Sequence, residues 1–296
     1  MSLHRYLRAI GFQELKNTKE LDEILDEVID SPNRVVSARD SEGNEIAELT
    51  REYGHGFGIR IVGQFLEDEE SFEIDYYYPY FSGSGVTTQE QADVERHAGN
   101  ESYAGICDDL KLGIALIFYV QNVNEYLNEK LLNENCLQGS TVTLSALSTE
   151  GKIIMPIRKE SKKVETPAQM QQRNSLVAAA RDGDEEAIEN LTLEDIDTYS
   201  MISRRIVNED VLSIVESTLM PYGVESDQYA VIGEIMDYTM LPNKRTLEEL
   251  YVLTIKTNDL VFDVIINQKD LLGEPAIGRR FKGTVWLQGK INFMSM

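Results

Sequence analysis

Cysteine is scarce: Cys107 and Cys136 are the only two among 296 residues. With so few thiols, and with an opening "MSLHRYLRAIGF" that lacks the apolar stretch of a secretory signal, the reading is a cytoplasmic protein without a disulfide framework. Histidine is nearly as rare. His4, His55 and His97 stand far apart, so no paired-histidine motif exists, and no metal or cofactor is expected. Long hydrophobic runs are also missing: the longest, Leu112 to Val120, has nine residues, against roughly twenty for a bilayer-spanning helix. No membrane span is expected. Bases are outnumbered, 28 against 51 acids, and the formal net charge of −23 repels phosphate backbones and anionic membrane surfaces.

What is present is ordinary for a folded chain. Hydrophobic residues make up 42% and charged residues 27%, and the length leaves room for about two domains with a sizeable core. The acidity is uneven. From Tyr229 to Met296 eight acids meet eight bases, so the last 68 residues are neutral and the preceding part carries the excess.

Periodicity divides the chain. "LHRYLRAIGF" reads as a short helix closed by Gly11, and "NTKELDEILDEVID" places Leu21, Ile24, Leu25, Val28 and Ile29 on one helical face, capped by Asn17 or Thr18. From Asn33 the period changes to two. "RVVSARD" and "EIAELTREY" flank "SEGN" as one hairpin, "FGIRIVGQFLED" and "SFEIDYYYPYF" form a second, and "TVTLSALS", "TEG" and "KIIMPIRK" read as a third. Leu112 to Val120 reads as a strand buried on both faces. A polar stretch with Pro167 precedes helical sequence, "NSLVAAARDG", "DEEAIENL" and "NEDVLSIVESTLM", the last running up to Pro221. Four apolar-rich stretches then follow, an arrangement similar to the oligonucleotide/oligosaccharide-binding barrel with one of its five strands missing. The fold expected is α+β: an N-terminal antiparallel sheet domain with helices (1–165), a helical connector (166–222) and a small, OB-like C-terminal β-barrel (223–296).

Four places hold chemistry worth weighing. In "HAGNESYAGICDD" a cysteine hydrolase would need His97 as base for a low-pKa Cys107, whereas a buried Cys107 at the entry to a strand needs no chemistry at all. In "EYGHGFGIR" the glycines surround His55, but the residues that follow alternate as a strand, so no helix N-terminus waits to hold an anion; a bend or bulge is the expectation. In "DYYYPYF" a strand would put Tyr76, Tyr78 and Tyr80 on one face, either as a stacking ladder or as packing. "GRRFKGTVWLQGK" interleaves Arg279, Arg280, Lys282 and Lys290 with Phe281 and Trp286, the only tryptophan, as single-strand nucleic-acid binders do.

"LHRYLRAIGF", "ESYAGICDDLKLGIALIFYVQN" and "GRRFKGTVWLQGKI" together resemble a family of clostridial proteins known only as a domain of unknown function. The resemblance implies a bacterial, intracellular protein conserved as one unit, and brings no catalytic residue. The expected function is a soluble, non-catalytic binding or scaffolding protein whose partner is another protein. Single-stranded nucleic-acid binding by the barrel and a Cys107–His97 hydrolase are the alternatives, and nucleic acid is the less expected partner given the charge.

Overall fold

At Asn33, where the period becomes two, the chain enters an antiparallel meander. A computed structural model describes residues 2–40, 42–66, 71–97, 102–109, 114–157, 175–180, 183–192, 212 and 215–294. Strands β1 (Arg34–Arg39), β2 (Glu45–Gly54), β3 (Phe57–Phe65) and β4 (Phe72–Phe81) form a four-stranded sheet in sequence order. The two hairpins expected from turn chemistry are both there. "EYGHGFG" is the connection between β2 and β3: the ladder shifts register between Glu52 and Gly54, and Gly56 takes φ +77° to close the turn. Gly58 has no alternative, because a Cβ there would lie 1.9 Å from the Arg51 carbonyl oxygen.

The 3-10 helix Arg5–Ile10 and α1 (Thr18–Asp30) cover one side of this sheet. The first is ended by Gly11 at φ +89°, and α1 is capped by the Asn17 side chain accepting from the Glu20 amide. Leu21, Ile24, Leu25 and Val28 are buried, as their spacing requires. A later helix, α2 (Val123–Leu132), packs on β1. Sequence reading passed it over.

The second sheet reorganises the expected domains. β5 (Ala92–Arg96), β6 (Tyr103–Asp109) and β7 (Ile114–Val120) lead by way of α2 into β8, which runs unbroken from Thr141 to Ile154. The expected third hairpin does not exist. "TEG" is a bulge, since Ser148 faces Val285 while Glu150 faces Thr284, and Thr149 is the extra residue. After β9 (Thr218–Pro221) come β10 (Gln228–Pro242), β11 (Glu249–Thr257), β12 (Leu260–Asn267), the two-residue β13 (Leu271–Leu272) and β14 (Arg280–Asn292). Around the ring β8 pairs with β12, β12 with β11, β11 with β10, β10 with β14, and β14 with β8 again. It is a closed five-stranded barrel, and the strand missing from the C-terminal count is β8.

That closure joins what the periodicity divided. One compact unit takes in Met1–Met155 together with Ser217–Met296, so the boundaries at 165 and 223 do not separate the sheet-rich part from the barrel. The other unit is Pro156–Glu216, in which 175–180 and 185–192 are helical. The expected helical run into Pro221 ends too late: Thr218–Pro221 is a strand paired with β10. Residues 158–174 and 193–211, with most of the polar stretch around Pro167 and the start of "NEDVLSIVESTLM", lie outside the described residues.

Alternation decides which apolar residues go where. Ala146, Leu287, Val264 and Leu253 point into the barrel, while Leu147, Trp286, Ile265 and Leu250 turn outward to meet β3, β4, α1 and the 3-10 helix in a second core. The edge of β4 is not left bare. Gln121 donates to the Phe81 carbonyl at 2.7 Å and to Gln288 Oε1 at 2.7 Å, and Gln288 donates to the Pro79 carbonyl at 2.9 Å. Two buried glutamines therefore join the meander to the barrel.

Candidate functional site

Cys107 lies within β6, paired with both β5 and β7, and is 1% exposed. The cysteine stands inside the strand and not at its entry. Its register partner is Ala92, whereas His97 follows the Arg96–Tyr103 pair and its amide bonds to the Ser102 carbonyl. Five residues of ladder separate the two levels, about 16 Å at roughly 3.3 Å per residue. The pair is not brought within reach for proton transfer. His97 instead places Nδ1 3.0 Å from the Ser102 hydroxyl.

The tyrosine ladder points inward. Tyr78 and Tyr80 are buried, and only Tyr76 is half-exposed. The Tyr78 hydroxyl lies 3.1 Å from the Glu48 carboxylate and 3.0 Å from the Gln121 carbonyl, and the Arg60 guanidinium stands 4.3 Å over the Tyr80 ring and 3.3 Å from Glu48. Burial pushes the Glu48 carboxyl up against the pull of Arg60, and pushes the Tyr78 hydroxyl well above its ordinary range. This is a structural ion pair under the sheet.

Much of the basic stretch is likewise committed. Arg280 is 4% exposed and donates through Nε and Nη2 to the Met155 carbonyl, and Arg279 donates to the Glu274 carbonyl. Lys282 is half-buried on β14 opposite Ile232 and Lys152. Trp286 is 6% exposed and donates its indole N–H to Asp227 at 2.7 Å.

The two aromatic surfaces that sequence reading kept apart belong to one chain of rings. Tyr76 stacks on Tyr78 at 6.3 Å, Tyr78 meets Tyr119 at 4.9 Å, Tyr119 meets Trp286 at 5.2 Å, and Trp286 stacks on Tyr6 at 5.3 Å with His4 at 5.0 Å. At the far end of this chain opens a cavity of about 580 Å³ lined by His4, Arg5, Tyr6, Glu225, Asp227 and Trp286, with His97 on its wall. His4 Nδ1 accepts from the Tyr6 amide, capping the 3-10 helix, and burial with the nearby Arg5 charge lowers its pKa to about 4. The imidazole is therefore neutral at pH 7, with its proton on Nε2. Arg5 donates to the Tyr6 hydroxyl and to Gln228 Oε1, and burial raises the Asp227 carboxyl above its ordinary value.

His4, Arg5, Tyr6, Glu225 and Asp227 carried no functional signal in the sequence. They converge because the 3-10 helix, packed on β8, β12 and β4, sets His4 and Tyr6 against Trp286 of β14, where the β9–β10 turn delivers Asp227. Among the described residues no group of three or more His, Cys, Asp or Glu side chains is placed to hold a metal ion, and no helix is long and apolar enough to cross a membrane.

The profile of a family described as "Domain of unknown function, E. rectale Gene description (DUF3881)" matches residues 7–289. No curated protein and no solved structure matches the chain significantly.

Proposed function

The chain belongs to this family of unknown function, and we propose that it is a non-catalytic binding protein that recruits a partner protein by strand addition to the free edge of β10. One observation carries the reading. Beyond Ile235, which bonds with Gly278 and Arg279, β10 is paired with β11 on one side and, among the described residues, with nothing on the other. On this stretch Met236, Tyr238 and Met240 are 45%, 41% and 43% exposed. Edges of this kind are normally blunted or covered, and a tyrosine between two methionines is the composition of a contact surface. Glu234, Asp237 and Glu249 flank it on a chain of net charge −23, so the partner contributes an extended segment bearing lysine or arginine.

The hydrolase alternative finds no support in the register that separates Cys107 from His97. The nucleic-acid alternative loses its stacking residue and one of its arginines to bonds inside the protein. The test compares affinity enrichment from a clostridial lysate by the wild-type protein and by a Tyr238→Lys/Met240→Lys variant of unchanged circular dichroism. A partner held by the wild type and lost by the variant is the expected outcome. A partner retained equally by both, or none beyond an unrelated acidic control, contradicts the reading.

A further inference from the structure

The cavity beside Trp286 carries opposite charges on its walls that do not neutralise each other. Asp227 gives one carboxylate oxygen to the indole N–H, and Glu225 lies two residues away on the same wall. Arg5 spends one nitrogen on the Tyr6 hydroxyl and the Gln228 amide, both uncharged, and among the described residues no ion pair joins it to a carboxylate. His4 supplies a neutral ring with a donor at Nε2. Leu3, Tyr6 and Trp286 add apolar surface to the same space.

A purely anionic or purely cationic ligand would leave one wall unanswered, whereas a small zwitterion with an apolar tail answers all of them. We propose that the cavity is a binding site for a free L-α-amino acid with an apolar side chain, its carboxylate on Arg5 and His4 Nε2, its ammonium on Asp227 and Glu225, and its side chain against Leu3, Tyr6 and Trp286. The volume, about 580 Å³, is in the range of small-molecule sites and has room for such a ligand with water. Arg5 keeps Nε and Nη1, which point to different sides of the guanidinium, so each offers a single charge-assisted bond to a carboxylate oxygen. Asp227, half-buried and raised in pKa by its burial, gains a second positive neighbour beside His97. The site does not depend on the β10 edge, so either reading can fail alone.

Trp286 is the only tryptophan and forms one wall, so its fluorescence reports occupancy directly. Titration of the full chain with L-leucine and with L-methionine is expected to give a saturable change for at least one of them. Leucinamide, which lacks the carboxylate, and 4-methylpentanoate, which lacks the ammonium, should each bind at least about tenfold more weakly, because each leaves one set of polar groups unpaired. Arg5→Gln and Asp227→Asn should each weaken binding by a similar factor while the melting curve and circular dichroism stay those of a folded protein, and Tyr238→Lys should leave it unchanged. No saturable response to either amino acid at millimolar concentration, binding of either truncated analogue as tight as that of the amino acid, or undiminished binding by folded Arg5→Gln would overturn the proposal.

Discussion

His4 caps the first helical turn through Nδ1 while its ring stands 5.0 Å from that of Trp286. The cap needs the neutral imidazole, since a protonated Nδ1 cannot accept. Burial, and then the charge of Arg5, lower its pKa from 6.5 to about 4, so the unfolded chain takes up a proton that the folded one refuses. The sign follows: this stabilisation is full above pH 6.5 and is lost as the pH falls towards 4, up to about 3 kcal/mol. Urea midpoints at pH 7 and pH 4.5 should therefore fall more in the wild type than in His4→Asn, which keeps a capping acceptor but does not titrate. Equal losses in both proteins would count against a buried neutral His4. At this scale the sequence was least informative. The indole–carboxylate bond joins Trp286 to Asp227 across 59 positions, and nothing local to either residue announces it.

Whole elements were easier to read, and the misreadings share a cause. The hairpin whose strands alternate and whose turn holds Gly and Asn was legible at Asp40–Asn44, and the bend with its bulge at Gly54–Phe57 was legible from its glycines, because local chemistry alone sets them. "TEG" carries the same chemistry but serves a bulge: β14 pairs with β8 on both sides of it, and Gly151 is needed because a Cβ there would meet the Phe281 ring at 2.4 Å. α2 escaped notice because its buried face includes Asn124, which donates to the Val36 carbonyl at 2.7 Å and interrupts the apolar stripe. β9 reads as the tail of a helix, and pairing with β10 overrides that preference. The glutamine bridge is the element-scale prediction. Gln288→Leu removes the donor to the Pro79 carbonyl and one of the acceptors of Gln121, and should cost about 1–3 kcal/mol in a urea melt. Gln138→Leu on an exposed loop should change it by less than about 0.5 kcal/mol. Equal effects would mean that the two sheets are not held together there.

For the whole molecule, the α+β class and the small barrel were legible in the alternating C-terminal stretches, whereas the strand that closes the barrel was not. β8 precedes its partners β12 and β14 by more than a hundred residues, and no periodicity reports a pairing at that range. The consequence is that Met1–Met155 and Ser217–Met296 hold one core between them and depend on each other to fold. The most direct test is to express residues 217–296 alone and together with residues 1–155, and to record amide NMR spectra of each. The fragment alone, with β10, β11, β12 and β14 but no β8, should give the narrow dispersion of an unfolded chain, and dispersed spectra should return when both fragments are present. A well-dispersed spectrum from residues 217–296 alone would contradict the account, since it would show a barrel that closes without β8.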